Sequence, residues 1–278
     1  MLNQVVVVEH HFLYEKIIRA NMKIATFNIN SVRARIENLC DWLNTEQPDI
    51  VLLQELKCQD EQFPHEKLKS IGYEASVYGQ KAYNGVAVLS KHKIEKVVKG
   101  LPGDDSDEQS RYMECTIKGI NVCNLYLPNG NPIGKEKYEY KLKWMDRLGK
   151  HIKNKLLNSA KPLLIGGDWN VIPTDDDCLD PDDWVDDAAA SNQVRARFKA
   201  YQNLGLYDAF NALNPNKKQA FTFWDYQRGA WSKNNGIRID FFLLNGNALD
   251  KTTNCWVDKK PRGKEKASDH TPLLIALK

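Results

Sequence analysis

Residues 163–171, LLIGGDWNV, combine the pattern of a buried strand with an acid and an amide at its end. The apolar run predicts a short strand, and the two glycines allow a close backbone approach or a positive φ. Asp168 and Asn170 are two positions apart, so they project to one face of an extended chain while Trp169 points to the opposite face, into packing. Taken alone, the stretch is explained equally well as a polar turn after a buried strand. It could also be part of a functional site, because α/β proteins commonly place catalytic residues beyond strand ends.

Polar side chains also stand at the ends of other apolar runs. Each of them, taken alone, is explained as a solvated strand end. Their repetition in one chain instead predicts a constellation at one edge of packed sheets. The residues that show this pattern, besides Asp168 and Asn170, are Asn28, Glu55, Tyr126, Asp240, Asp269 and His270.

The carboxylates of this set predict a bound cation. Glu55, Asp168 and Asp269 would all be ionised at pH 7, since unperturbed carboxyl pKa values lie near ~4. Crowded like charges raise one another's pKa unless a cation lies among them. Oxygen ligands without thiolates suit Mg²⁺, or Mn²⁺ in its place, and such an ion typically holds a phosphate oxygen and stabilises the departing one.

Two further side chains complete a hydrolytic site. His270 could hydrogen-bond a phosphate, and Asp240 could fix the tautomer of its ring. Asp168 would then orient or deprotonate the attacking water. These expectations point to metal-assisted hydrolysis of a phosphoester.

Composition and organisation predict one soluble α/β domain. The 278 residues carry a net charge of +3 and are 42% hydrophobic, and strands intermix with helices without a repeat or linker. The domain is expected to cover residues 22–278, after a disordered or dispensable extension, residues 1–21. Scattered cysteines without a C-x-x-C pair predict reduced thiols in the cytoplasm. No apolar run approaches the about 18 residues of a membrane span, and P-loop, Rossmann and serine-hydrolase motifs are missing from the sequence.

Six segments occur in unbroken order between Met22 and Lys278. They are FNIN (27–30), LLQELK (52–57), NLYLPNG (124–130), GGDWN (166–170), GIRIDFFLL (236–244) and SDH (268–270). This set resembles the exonuclease III family, bacterial AP endonucleases within the endonuclease/exonuclease/phosphatase superfamily. The resemblance implies a DNase I-like, four-layered α/β sandwich, in which helices flank two packed mixed β-sheets.

The resemblance also implies a function. It is that of a Mg²⁺-dependent DNA repair phosphodiesterase, with Mn²⁺ as a possible substitute, that incises DNA 5′ to abasic sites. The implied side activities are those of a 3′–5′ exonuclease and a 3′-phosphatase. The implied substrate is double-stranded DNA with abasic sites or blocked 3′ ends, acted on by a monomer in the bacterial cytoplasm, with no membrane partner.

Individual residues take roles from the same resemblance. The implied metal ligands are Asn28, Glu55, Asp168, Asn170 and Asp269. The implied catalytic residues are Tyr126, Asp168, Asn170, Asp240 and His270. The implied substrate-binding residues are Asn129, Phe223, Ile237, Arg238 and Ile239, of which Phe223 and the two isoleucines match an apolar pocket for a flipped, base-less sugar.

Charged segments bear on how DNA would be held. Arg238 and the basic loop 259–266 are candidates for contacts to DNA phosphates, although charge runs of this kind are usually only solvated. The loop 175–187 holds eight aspartates without EF-hand spacing, so it is expected to be solvated and to lie away from the DNA.

Two alternatives keep part of this interpretation. A phosphoesterase of the same superfamily could act on a different phosphate ester, such as an inositol phosphate or sphingomyelin; LLQELK and FTFWDY favour DNA repair instead. A catalytically silent DNA-binding module would lack an acid or the histidine, whereas every expected position is filled here.

Overall fold

A computed structural model describes residues 22–278, so the prediction made for residues 1–21 lies outside the described residues. The strands are β1 (Met22–Asn28), β2 (Ile50–Gln54), β3 (Glu74–Tyr78), β4 (Val86–Ser90), β5 (Glu95–Lys99), β6 (Tyr112–Ile117), β7 (Ile120–Tyr126), β8 (Leu163–Asp168), β9 (Tyr207–Asp208), β10 (Asp240–Leu244), β11 (Thr252–Val257) and β12 (Leu273–Leu277). The helices are α1 (Ile36–Glu46), α2 (His65–Ser70), α3 (Glu136–Asn154), α4 (Asn192–Asn203), α5 (Ala209–Leu213) and α6 (Gly246–Leu249).

The strands form two mixed six-stranded sheets, ordered β11-β12-β1-β2-β4-β3 and β5-β6-β7-β8-β10-β9. Apolar residues of the facing sides, such as Leu52, Leu164 and Phe242, share one buried cluster. Outside it, α1 contributes Leu39 to a second buried cluster, and α3 contributes Leu148 to a third. The order is therefore helix, sheet, sheet, helix, which confirms the predicted four-layered sandwich.

The register of the second sheet aligns three of the predicted site residues. β7 is parallel to β8 and pairs Tyr126 with Asp168. β10 is antiparallel to β8 and pairs Asp168 with Asp240. Strand pairing alone therefore places Tyr126, Asp168 and Asp240 side by side in one row at the edge of the sheet. In the other sheet, the parallel pair β1 and β2 ends at Asn28 and Gln54, one residue before Glu55.

The two glycines of β8 allow the close approach expected of them. A Cβ on Gly166 would lie 2.6 Å from Leu52 Cδ1 in the opposite sheet and 2.5 Å from Phe242 Cε1 in the neighbouring strand. Gly167 has a φ of +151°, and a Cβ there would collide with the carbonyl oxygen of Leu125. Larger side chains would push the sheets apart at the strand that ends in Asp168.

Two predicted elements begin later than the sequence pattern indicated. Residues 236–244 (GIRIDFFLL) have the pattern of one strand, in which Arg238 and Asp240 share a face. The strand joins its sheet only at Asp240, because Ile237 pairs instead with Cys178 and Phe223 in isolated bridges. The apolar spacing predicts a helix over residues 32–45 with Ser31 as its N-cap. The helix begins instead at Ile36, and Ser31 donates its backbone N–H to the carbonyl oxygen of Glu55. In both places long-range pairing overrides the local pattern.

Residues 22–278 include no helix that is both long and apolar enough to cross a membrane.

Candidate active site

Side chains from the ends of both sheets meet in one acid-rich group, called here the site cluster: Asn28, Glu55, Asp168, Asp240 and His270. Asn28 lies between the sheets and is fully buried. Its Nδ2 donates to Glu55 Oε1 at 2.8 Å and to Asp168 Oδ2 at 2.9 Å. One amide therefore holds a carboxylate from each sheet, which fixes their separation.

His270 occupies the opposite side of Asp168 and is held by Asp240. Its Nδ1 lies 2.8 Å from Asp240 Oδ2, and its Nε2 lies 3.6 Å from Asp168 Oδ2. Burial alone would lower the pKa of His270, but the neighbouring charges of Asp240 and Asp168 outweigh it and raise that pKa above its ordinary value. The ring is therefore held in its protonated form, oriented by Asp240.

The two carboxylates joined by Asn28 differ in proton affinity. Burial, followed by the nearby charge of Asp240, raises the pKa of Asp168 even though His270 opposes the shift. Burial would raise the pKa of Glu55 as well, but Lys57, whose Nζ lies 2.8 Å from Glu55 Oε2, and the Asn28 hydrogen bond lower it. Opposed shifts of this kind separate a proton acceptor from a permanently charged group.

The site cluster has the donor chemistry that a divalent ion requires. Carboxylate oxygens of Glu55 and Asp168 and a ring nitrogen of His270 all lie within 4.8 Å of one another. Two of these three side chains are carboxylates, and the amide of Asn28 bridges them. An oxygen-rich set of this kind suits a hard cation. Asp269 lies outside that group, and its Oδ1 accepts from Asn30 Nδ2 at 2.9 Å.

Tyr126 lies beside the carboxylates and under a guanidinium. Arg111 is stacked on its ring, 4.8 Å from the centroid. Burial, with the charges of Glu55 and Asp168, raises the pKa of Tyr126 well above its ordinary value. The hydroxyl therefore remains a hydrogen-bond donor at any physiological pH.

Asn170 is bound to Asp168 through the backbone. Its N–H donates to Asp168 Oδ1 at 2.9 Å, and its Nδ2 donates to the carbonyl oxygen of Leu127 at 2.9 Å. Its φ of +46° lies in the left-handed region, which asparagine tolerates better than most residues. Asn129 donates a long hydrogen bond of 3.4 Å to Asn170 Oδ1. Trp169 is buried against Phe198, with ring centroids 5.5 Å apart, which confirms the packing role predicted for it.

The aromatic residue Phe223 borders the site cluster. Its ring centroid lies 5.0 Å from that of His270. Ile237 and Ile239, predicted to line the same pocket, are only 2% and 4% exposed, and Phe223 packs against their buried cluster. The two isoleucines therefore form the support behind Phe223, which is the accessible member of the three.

The prediction that Arg238 contacts DNA is wrong. The side chain is buried, its Nε donates to Asp177 Oδ1 at 2.7 Å, and its Nη1 donates to Asp208 Oδ2 at 2.8 Å. The guanidinium also lies 4.5 Å from the ring centroid of Phe241. All of its charge is used inside the protein, so none is available to a DNA phosphate.

The aspartate loop 175–187 and the basic loop 259–266 each bury a charged side chain that forms contacts inside the protein. Asp177 of the aspartate loop is buried on Arg238, while Asp175 pairs with Arg195 at 2.9 Å. In the basic loop, Arg262 is buried and donates to the carbonyl oxygen of Trp224 at 3.0 Å. The lysines of the basic loop remain exposed.

A second layer of polar contacts surrounds Asn30 and was not predicted from the sequence. Lys57 donates to Asn30 Oδ1 at 2.5 Å, and Tyr226 accepts from Asn30 Nδ2 at 3.2 Å and from Arg35 Nη2 at 2.8 Å. Lys57 belongs to LLQELK (52–57) and Tyr226 to FTFWDY (221–226), the two segments that favoured DNA repair over the alternative, and this was the available signal.

Taken together, the two-sheet sandwich and the site cluster define a class of protein, the hydrolases that cleave phosphate esters with the help of a metal ion. Residues 25–270 match the model of the Endonuclease/Exonuclease/phosphatase family, and the chain belongs to that family.

Individual relatives agree with this assignment. Exodeoxyribonuclease III of Haemophilus influenzae is 32% identical over 268 residues, which are 92% of this chain and 100% of that protein. A solved AP endonuclease from Archaeoglobus fulgidus has a TM-score of 0.87 and 36% identity over 92% of this chain and 99% of its own. A 3′ phosphatase, NExo from Neisseria bound to a product DNA hairpin, has a TM-score of 0.89 and 32% identity over 92% of this chain and 99% of its own. The comparisons confirm the predicted family, its fold and the class of hydrolytic DNA repair nuclease.

Proposed function

We propose that this protein is a Mg²⁺-dependent AP endonuclease that incises double-stranded DNA on the 5′ side of abasic sites. Its further activities would be those of a 3′–5′ exonuclease and a 3′-phosphatase. The observation that carries the proposal is the grouping of Glu55, Asp168 and His270 within 4.8 Å beside the partly exposed ring of Phe223. The names of the relatives, which include an AP endonuclease and a 3′ phosphatase, support it.

In this proposal Glu55 and Asp168 hold the Mg²⁺ with Asn28, while Asn170 and Asp269 complete its surroundings. When bound, the ion supplies positive charge to the scissile phosphate and to the oxygen that leaves it. Mn²⁺, which accepts the same oxygen ligands, would substitute.

The remaining steps belong to this chain's own side chains. Asp168 accepts a proton from the attacking water. The new P–O bond forms as the P–O3′ bond breaks, and the departing O3′ takes a proton from water. The products are a 3′-hydroxyl and a 5′-phosphate on the base-less sugar. Tyr126 and protonated His270 donate hydrogen bonds to the phosphate oxygens, and Asp240 keeps His270 charged and oriented.

Recognition of the lesion would rest on the apolar surface at Phe223. A base-less sugar has nothing to stack or pair, so a small apolar surface accepts it, and it leaves the duplex at a lower cost than a paired nucleotide. Asn129, which is exposed in the loop that follows β7, would contact the adjoining DNA. The protein would act as a monomer in the cytoplasm, with duplex DNA as its partner.

Incision of a defined duplex tests the proposal. A labelled duplex with one abasic site is expected to be cut on the 5′ side with Mg²⁺, left intact with EDTA, and left intact by a Glu55→Gln variant. A duplex with a normal base at that position and one with a 3′-phosphate end measure selectivity and 3′ trimming. Hydrolysis of inositol phosphates or sphingomyelin, with the abasic duplex uncut, would establish the alternative substrate class instead.

A further inference from the structure

One lysine of the long helix α3 points into the interior. Lys141 is 0% exposed, although lysines normally keep their ammonium groups in water. Its Nζ donates to the carbonyl oxygen of Asn129 at 2.9 Å and to that of Asn170 at 2.6 Å. The ammonium therefore lies between the loops that follow β7 and β8, the strands that deliver Tyr126 and Asp168.

The charge of Lys141 is not neutralised by a direct partner. Among residues 22–278, Lys141 forms no ion pair within 4.0 Å, and its Nζ donates to the two carbonyl oxygens. A buried ammonium held only by neutral groups is costly, so the fold must gain something from keeping it at this position. Helix α3 also carries exposed lysines, so a lysine is not needed at this position for solubility.

The neighbouring backbone is shaped around this side chain. Gly130 has a φ of +87°, and a Cβ there would lie 2.5 Å from Lys141 Cδ. The aliphatic stem thus passes through a gap that only glycine leaves open. At the other end, the ammonium binds the carbonyl of Asn170, whose φ of +46° is a conformation that surrounding contacts must maintain.

The connection from Lys141 to the site cluster runs through one residue. The carbonyl of Asn170 is bound by Lys141, and its N–H is bound by Asp168 Oδ1. We propose that Lys141 is a positioning residue for phosphoester hydrolysis, which fixes Asn170 and through it the carboxylate of Asp168. The inference rests on the proposed function, because it concerns the rate of that reaction.

A substitution that removes the ammonium group of Lys141 but keeps an aliphatic side chain of similar length tests this role. Lys141→Met is expected to lower kcat on the abasic duplex by about 100-fold, the scale on which small misplacements of reacting groups act. KM should change by less than about threefold. Lys143→Met, at an exposed lysine of the same helix, is the matched control and should retain wild-type kcat. If Lys141→Met does not fold, Lys141→Gln, which keeps one donor, should show a smaller loss of about tenfold.

A double substitution separates positioning from simple loss of stability. Asn170→Ala removes the hydrogen bond to the carbonyl oxygen of Leu127 and places an alanine at a φ of +46°. The backbone that Lys141 holds is then already disturbed, so adding Lys141→Met should lower kcat by less than about threefold. Full additivity of the two losses would overturn the positioning role, as would equal rates for Lys141→Met and Lys143→Met. Wild-type protein that leaves the abasic duplex uncut would overturn the proposed function itself, and this inference with it.

Discussion

The two buried cations Arg238 and Lys141 differ in what neutralises them. Arg238 donates to two carboxylates, those of Asp177 and Asp208, and each of these carboxylates also accepts backbone N–H groups. Lys141 donates only to two backbone carbonyls, beside the residues that the proposed reaction uses. A cation whose charge is matched by buried acids is part of the framework. A buried cation that has no carboxylate partner and lies next to a cluster of acids is a candidate for a functional residue.

The largest effect is expected from Asp168→Asn, at the centre of the proposed site. An amide cannot accept the proton of the attacking water, so kcat on abasic DNA should fall by about 10³- to 10⁴-fold. The hydrogen bond from Asn170 N–H can still form, so DNA binding should persist. Single-turnover kinetics and a binding titration on the same duplex measure the two quantities. Wild-type rates in this variant would mean that the proton acceptor has been misassigned.

Arg238→Met is expected to affect stability and leave the reaction unchanged. It leaves Asp177 and Asp208 buried without their cation, which should lower the free energy of unfolding by about 3–5 kcal/mol. Chemical denaturation measures the loss, with Lys218→Met, at an exposed ion pair, as the control that should cost less than about 1 kcal/mol. Folded Arg238→Met should keep a KM for DNA within about twofold of wild type. A large rise in KM would restore Arg238 as a DNA contact and remove the contrast with Lys141.

Asp240→Asn tests a third buried cation, His270, which has a carboxylate partner, as Arg238 does, but lies in the proposed site. Without the carboxylate at Nδ1, the pKa of His270 should fall, and kcat should decrease by about 10²- to 10³-fold because the ring loses its orientation and charge. NMR titration of the metal-free protein measures that pKa. A raised folded pKa stabilises the protein below the unfolded value of about 6.5, and this contribution is lost as pH rises through the folded pKa. Asp240→Asn should therefore weaken the protein more at pH 6 than at high pH, and an unchanged His270 pKa would contradict the pairing.

The smallest effect is expected from the exposed part of the aspartate loop. Asp182 and Asp186 are exposed and lie in the loop predicted to face away from DNA. The double substitution Asp182→Asn and Asp186→Asn should change the free energy of unfolding by less than about 0.5 kcal/mol. Its kcat/KM should stay within about twofold of wild type at every salt concentration. A marked rise in DNA affinity at low salt would show that the loop faces the substrate.

The site residues with a local signal could be predicted from the sequence. Asn28, Glu55 and Asp168 each follow an apolar run, and parallel strands bring such ends to the same edge. The mixture of strands and helices predicted an α/β domain, and the two-sheet fold followed from the resemblance alone. The row of Tyr126, Asp168 and Asp240 required the strand register, which local patterns do not give.

The two buried cations could not be classified from the sequence for the same reason. The partners of Arg238 lie 61 and 30 residues away along the chain. The local pattern showed only that Arg238 and Asp240 share one face of the predicted strand. Lys141 is one of several lysines on a helix with an apolar stripe, and nothing in its spacing distinguishes it from those that are solvated. Burial and charge neutralisation depend on the folded neighbours, and the structure supplies both.

We place the divalent ion of the phosphoester hydrolase in the site cluster, and not on another acidic surface. Anomalous diffraction from crystals soaked in Mn²⁺ tests it most directly, because it locates the ion without reference to activity. The expected result is one strong peak in contact with the carboxylates of Glu55 and Asp168, absent from a Glu55→Gln crystal treated in the same way. A peak confined to the aspartate loop 175–187, or none at the site cluster under saturating Mn²⁺, would contradict the claim.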